Sequence, residues 1–201
     1  MNQLSGNGAS GVWGRLWARP RSKWLLGIPL GGLLLFVLGL GLYGGTIEFF
    51  EVTATTEFCA NTCHELKTFV KPSWEESFHF KNSKGVQAGC PNCHESKELI
   101  PMLARRWQSF GEVWAHLTGR IDTQAKFDAE KTRMARQVWA YMKATDSREC
   151  RTCHKAEAWD LSAQDKSAQK KHEQMRTSGK TCIDCHKGVA HKVPLGADDD
   201  S

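Results

Sequence analysis

The sequence predicts a mainly α protein: a single membrane-spanning helix near the N-terminus, then a domain with little sheet packed around covalently held groups. Three observations predict this. Residues 24–45 are apolar and uncharged. Two later segments, 99–117 and 123–144, are rich in helix formers and carry apolar residues at near-helical spacing. Eight cysteines fall into four pairs, and a histidine follows each pair at once.

The apolar stretch reads "WLLGIPLGGLLLFVLGLGLYGG". As a helix rising about 1.5 Å per residue it is long enough to cross the hydrocarbon core of a bilayer. Residues 1–23 hold Arg15, Arg19, Arg21 and Lys23 and no acid, so they are expected to stay in the cytoplasm. A cleaved signal peptide is the alternative, but its apolar region is usually shorter and "LYGGTIEFF" is a poor cleavage site. Gly27 and Gly31 frame a small-xxx-small face that could pair the helix with another copy, although such glycines are ordinary in membrane helices. Of 27 basic residues only these four precede the span, which leaves 23 against 22 acids beyond it. The net charge of +5 is thus mainly a topology signal, and no basic stripe points to nucleic acid.

The cysteine pairs are Cys59/Cys63, Cys90/Cys93, Cys150/Cys153 and Cys182/Cys185, with His64, His94, His154 and His186 after them. "CPNCH", "CRTCH" and "CIDCH" are strict CxxCH sequences. That pattern attaches haem c: two thiols bond to the porphyrin edge and the histidine takes one axial position on the iron. A disulfide scaffold would not need the histidines. Zinc or iron–sulfur ligation would use the thiols and leave the adjacent histidine unexplained. The first motif, "CANTCH", has one residue too many between its thiols. It keeps the thiol–thiol–histidine order, and a small bulge is expected to absorb the extra residue. A site with one thioether, or none, is the alternative there.

Four covalent haem c groups are therefore expected in a domain over residues 46–195, followed by an acidic tail at 196–201. The tail reads as a loose end or as a docking aid for a basic partner. The motifs begin at 59, 90, 150 and 182, which suggests a doubled two-haem unit over about 50–100 and 145–195. Between the units lie the two helical segments. In 123–144, Phe127, Met134, Val138 and Met142 recur at near-helical spacing, Trp139 lies beside them, and Asp122 or Thr123 can cap the start. In 99–117, Trp107, Phe110 and Trp114 form an aromatic side. That side is expected to pack on haem and core, with the membrane interface as the alternative.

Four histidines lie outside the motifs: His79, His116, His172 and His191. Four irons and four spare histidines invite a second imidazole on each iron. His79 and His172 each fall between the two motifs of their unit, and His191 follows His186 by five residues. His116 lies on an expected helix and is the weakest distal candidate. Irons with two imidazoles are low-spin and lack an open position, which makes the chain an electron wire rather than a terminal reductase.

The chain resembles the NapC/NirT family of membrane-anchored tetrahaem quinol dehydrogenases. The resemblance rests on the anchor, "TTEFC", "FHFKNSKGVQAGCPNCH", "IDTQAKF", "ECRTCH" and "GKTCIDCHKGVAHKVP". It implies quinol oxidation at the outer face of a bacterial inner membrane, with the haem domain in the periplasm. Electrons would pass through four haems to a periplasmic terminal reductase or its small electron-transfer subunit. Some relatives carry a further C-terminal haem domain. This sequence stops at Ser201 and so most resembles the short member associated with nitrate reductase. His79, His172 and His191 match family positions that supply distal ligands. The family usually has CxxCH at the first haem with methionine two residues on, whereas here Leu66 stands at that place.

Quinol oxidation needs a proton acceptor. Glu112, in "FGEVW", is the leading candidate, with Glu51 and Glu57 as alternatives. Lys84 and Lys97 could meet a quinone oxygen but are equally at home on a solvated face. Two other functions remain open at this stage. One is a passive electron-transfer adaptor without its own quinol site. The other is a small reductase acting at a five-coordinate haem.

Overall fold

A computed structural model describes residues 11–19 and 28–197. Arg21, Lys23, residues 24–27 of the expected span and the last four residues of the acidic tail lie outside these. The regular elements among the described residues are all helical, with no strand, as the sequence predicts. The chain divides into two units, Met1–Val52 and Thr53–Ser201.

The first unit holds a short helix α1 (Val12–Trp17) and most of a long one, α2 (Leu30–Thr53). α2 is long and apolar enough to cross a membrane and is almost entirely exposed. Its 24 residues extend about 36 Å. It starts later than the uncharged stretch because Pro29 lacks an N–H and restrains the residue before it. The Pro29 carbonyl accepts the first helical bond, from Leu33 at 3.2 Å. Thr46, a polar residue within α2, donates its hydroxyl to the Leu42 carbonyl at 2.7 Å. A span in lipid needs that internal satisfaction.

The second unit is built from short helices around two long ones. α3 (Thr56–Asn61) is capped by Thr55, whose hydroxyl accepts from the Phe58 N–H. A π-helical turn (Leu66–Val70) and α4 (Lys71–Glu75) follow. α5 (Cys90–His94) carries the second motif, and α6 (Leu99–Leu117) is the first long helix. α7 (Gln124–Ala144) begins at Thr123, one of its two expected caps, whose hydroxyl accepts from the Lys126 N–H. α8 (Arg148–Arg151), α9 (Lys166–Ser178) and α10 (Cys182–Cys185) follow it.

The apolar core is thin. Ala115 of α6, Ile121 and Phe127 form its centre, with Phe69, Val70 and Met134 against them. Phe69 and Phe127 meet at 5.3 Å between ring centroids. On α6, Trp107, Phe110 and Trp114 are exposed rather than packed on this core. Their face points away from Ala115, because residues 107, 110 and 114 lie on another side of a 3.6-residue helix.

A tight turn ties α7 and α8 to α10. Asp146 and Ser147 both adopt left-handed backbone, at φ 51° and 49°. Non-glycine residues hold that conformation only where the surroundings fix it. Arg151 fixes it from one side, donating to the Asp146 carbonyl (2.8 Å) and carboxylate (2.9 Å). Ser147 is fully buried, and its hydroxyl accepts from the Ile183 N–H at 3.1 Å. Ser147→Ala would leave that buried N–H without its partner. The expected loss is about 1–3 kcal/mol, read as a lower urea midpoint; an unchanged midpoint would show that the Ile183 N–H finds another acceptor.

Candidate functional site

The three strict motifs adopt one local geometry. Each is a single helical turn in which the histidine stays within the turn opened by the first cysteine. His154 donates its N–H to Cys150 O at 2.9 Å, and His186 donates to Cys182 O at 2.8 Å. In the second motif the turn spans all five residues, Cys90–His94. Residues i, i+3 and i+4 share a helix face, so both thiols and the imidazole project to one side. "CRTCH" and "CIDCH" get their turns from α8 and α10. A capping box opens α10: Asp184 accepts from the Thr181 N–H at 2.8 Å.

The second thiols of the last two motifs do not share the burial of the others. Cys153 and Cys185 are exposed, whereas the other six cysteines are partly covered. α8 ends at Arg151, so Cys153 lies past the helix, in the turn that closes it. Its N–H donates to Cys150 O at 3.3 Å, which keeps it in register with Cys150 and His154. The Thr152 hydroxyl, 3.8 Å from its sulfur, is its hydrogen-bond partner. The physical reason for the exposure is that protein packs on α8 from the side of Cys150 and Glu149, toward α5, and leaves the trailing end of the turn open. A thiol that bonds to a porphyrin edge needs access rather than burial, so Cys153 stays in the candidate set as a surface thiol.

The first motif is built differently. α3 carries Cys59 but ends at Asn61, and the chain bends at Thr62 and Cys63 before it becomes helical again at His64. The extra residue falls at this bend, and the π-helical turn follows directly. π-Helical turns characteristically accommodate one additional residue. His64 rests edge-on against Phe69, ring centroids 5.2 Å apart.

The motifs touch in sequence order. α3 packs on α5, and α5 on α8. Cys59 and Cys90 share a hydrogen bond that raises the Cys59 thiol and lowers that of Cys90 to about 7. Burial and then the fields of Cys150 and Cys153 push Cys93 up to about 11. Cys150 is raised by burial and then by Cys182. Arg148 braces the joint between the second and third motifs, bridging Glu98 and Glu149 at 3.2 Å each. The four attachment points therefore form a continuous series.

Three of the four spare histidines face motif histidines. His94 and His191 have ring centroids 6.2 Å apart, His79 and His154 6.2 Å, and His172 and His186 6.1 Å. Two metal–imidazole bonds of about 2 Å, each with a further ~1 Å from ring nitrogen to ring centre, put two axial imidazoles about 6 Å apart. The residues present thus fit a six-coordinate haem iron at the second, third and fourth motifs. Among the described residues no three His, Cys, Asp or Glu side chains converge as a bare-ion site would require. The pairs do not follow the division into two-haem units: only His172 and His186 lie within one unit, and the others cross between 50–100 and 145–195.

Each spare imidazole in these pairs has its Nδ1 occupied. His79 Nδ1 donates to the Val189 carbonyl at 3.1 Å, and His172 Nδ1 donates to Gln164 Oε1 at 2.6 Å. His191 Nδ1 lies 3.2 Å from Ser73 Oγ. The Ser73 hydroxyl already donates to the Val70 carbonyl, so its oxygen accepts from His191. A proton held at Nδ1 leaves the Nε2 lone pair as the ligand. Burial lowers His94 to about 4, with His191 and Arg105 adding to the effect. Burial and then Lys131 lower His191. Neutral imidazole is the ligating form.

His64 and His116 meet no second imidazole among the described residues. His116 Nδ1 instead donates to Glu65 Oε1 at 2.7 Å. Glu65 is buried, which raises its carboxyl. The His116 bond, its own backbone N–H and the charges of His116 and His64 outweigh this and leave its pKa lowered. Glu65 was not among the residues the sequence singled out; an acid directly after a motif histidine was the available signal. Glu112 lies one turn before His116 on the same side of α6. Glu112 is exposed on α6, and partial desolvation raises its carboxyl, against the opposing Arg105. Its field also reaches Cys63, after the larger effects of burial and Glu65 on that thiol. Glu112 is thus placed beside the first motif. Lys97 lies with Glu98 and Glu149 in the cleft between the second and third motifs. Lys84 is exposed on a loop, Glu51 lies on α2 and Glu57 on α3.

Asp184 gives a pH-dependent test of the fourth motif. The hydrogen bond from Lys143 (2.7 Å) and then the Thr181 N–H lower its carboxyl from 3.8 to about 2. Its stabilisation is complete above the ordinary value and disappears as pH falls toward 2. Asp184→Asn is expected to cost on the order of 2 kcal/mol at pH 6 and progressively less below pH 4, measured by urea midpoints. A pH-independent difference would contradict the assignment.

Comparison with known proteins gives one answer. Residues 21–196 match the NapC/NirT cytochrome c family, N-terminal region. The chain is 40% identical over 180 residues to the denitrification system component NirT of Stutzerimonas stutzeri, covering 89% of this chain and 87% of that one. It is 42% identical over 178 residues to the cytochrome c-type protein NapC of Escherichia coli K12, covering 89% and 88%. To NapC of Paracoccus pantotrophus it is 41% identical over 191 residues, covering 91% and 79%. No solved structure matches the chain significantly.

Proposed function

The chain belongs to the NapC/NirT cytochrome c family, and from that premise we propose that it is a single-pass quinol dehydrogenase of the bacterial inner membrane. Its N-terminus lies in the cytoplasm, its domain faces the periplasm, and it holds four covalent haem c groups. The observation that carries the reading is the set of three imidazole pairs, each joining a motif histidine to a spare one.

When bound, haem would supply a one-electron redox centre. The chain does the rest. The four cysteine pairs fix the groups in series. His79, His172 and His191 supply distal nitrogens, and Val189, Gln164 and Ser73 hold each in the required tautomer. The first motif is where the donor meets the chain. Cys59 follows the end of α2 by six residues, and His64 has no facing imidazole among the described residues. Quinol oxidation to quinone releases two electrons and two protons. Glu112, raised by desolvation and set beside the first motif, accepts a proton from the quinol hydroxyl.

The electrons leave for a periplasmic terminal reductase or its small electron-transfer subunit. We assign a nitrate reductase, one of the partner classes that the family resemblance implies, to that place. Relatives named NapC and NirT match about equally well, so reduction of each purified reductase by the reduced protein decides between a nitrate and a nitrite partner.

The holoprotein in detergent is expected to be reduced by a water-soluble quinol analogue, followed by its absorbance. Failure to reduce would leave the passive adaptor as the correct reading. Glu112→Gln should slow this reduction by about a hundredfold at unchanged haem content. Replacing His79, His172 or His191 with alanine should turn one low-spin iron high-spin in electronic and paramagnetic spectra. An unchanged low-spin count would remove that residue from the ligand set.

A further inference from the structure

α6 presents an unpartnered apolar stripe. Ile100, Leu103, Trp107, Phe110, Trp114 and Leu117 recur at alternating steps of three and four along its 19 residues. All six are exposed, Trp107 at 77% and Trp114 at 65%. The stripe extends about 26 Å, far more than the scattered apolar exposure normal for a surface.

The other side of α6 makes the contacts with the motif-bearing elements. Arg105 Nε donates to the His94 carbonyl at 3.5 Å, Arg106 pairs with Glu95, and His116 pairs with Glu65. Ala115 is buried in the core. The contacts of α6 with the first and second motifs are thus made by residues outside the stripe. Arg106 Nη1 also donates to Thr53 Oγ1 at 2.6 Å. Thr53 is the last residue of α2, eight residues beyond the uncharged stretch and after Glu48 and Glu51. The middle of α6 is therefore tied to the residue with which the second unit begins.

We propose that α6 is an interfacial helix, lying in the headgroup layer of the bilayer that α2 crosses, with its stripe turned to the acyl chains. The composition fits that surface. Leucine, isoleucine and phenylalanine enter the acyl boundary, tryptophan prefers the headgroup level, and the charged residues occupy the other face. Through Glu112 and His116 the same helix borders the first motif, so seating it on lipid keeps that motif at the depth of a membrane quinol. The proposal rests on reading α2 as a membrane anchor.

The test uses the full holoprotein in nanodiscs of phosphatidylethanolamine and phosphatidylglycerol. The nanodiscs contain a phospholipid with a photoactivatable diazirine near the start of its acyl chain. After irradiation, mass spectrometry of peptides should find lipid adducts on the stripe residues of α6 as well as on α2. The double variant Trp107→Gln/Trp114→Gln should lose the α6 adducts about tenfold while haem absorbance and α2 adducts persist. Adducts on α2 with none on α6 would overturn the proposal and leave the anchor standing. So would cross-links joining α6 of two copies, which would make the stripe a dimer surface. Absence of adducts on α2 would instead refute the anchor reading itself.

Discussion

Two imidazole rings facing each other about 6 Å apart form the constraint on which the rest of this domain depends. An axial ligand pair tolerates little error, because both nitrogens must sit on one line through the metal. The fold meets the demand three times with little conventional core behind it. Short helical turns fix the motif histidine, and hydrogen bonds at Nδ1 fix its opposite number. The acceptors are a carbonyl, an amide and a hydroxyl, so no common sequence pattern surrounds the distal residues. What they share is a held tautomer.

The first motif departs from this scheme in every respect. Its thiols are separated by a bend, its histidine leans on Phe69, and no second imidazole faces it among the described residues. The carboxylates gather here: Glu65 bound to His116, and Glu112 one turn away. A rigid, closed site suits a relay that changes only its oxidation state. A site that takes both electrons and protons needs titratable groups and an approach for its donor. The break in the cysteine spacing coincides with the division of roles proposed above.

Local features of this fold were legible in the sequence. The bounds of α6 and α7 follow from periodicity and from Thr123 as a cap, because both are set by neighbours within one turn. The exposure of Cys153 was not legible, since it depends on what packs over the turn rather than on the turn itself. Nor was the pairing of the histidines. His79 and His172 each sit between two motifs, yet one pairs across the molecule and the other within its own unit. Linear spacing carries no information about contacts made by chain segments that return many tens of positions later. The aromatic side of α6 is ambiguous in another way. A stripe at helical spacing shows that a face is apolar, and burial against protein or lipid produces the same stripe. The span was expected over 24–45 and the helix runs over Leu30–Thr53, while the burial of Glu65 required His116 to arrive from a distant helix.

The crossing of His191 onto His94 bears on how the protein is made. A chain that threads through the membrane from its N-terminus delivers "CPNCH" to the far side nearly a hundred residues before "VAH" emerges. On the proposed ligation, thioether bonds can anchor the second porphyrin early, but its iron must wait for a segment close to the end of the chain. The third iron is served in the reverse order, since His79 is already outside when "CRTCH" appears. Maturation is then not a sequence of finished modules. The N-terminal half cannot be completed alone, and a nascent chain cut short after the fourth motif would expose a reactive, five-coordinate centre in the middle of the wire.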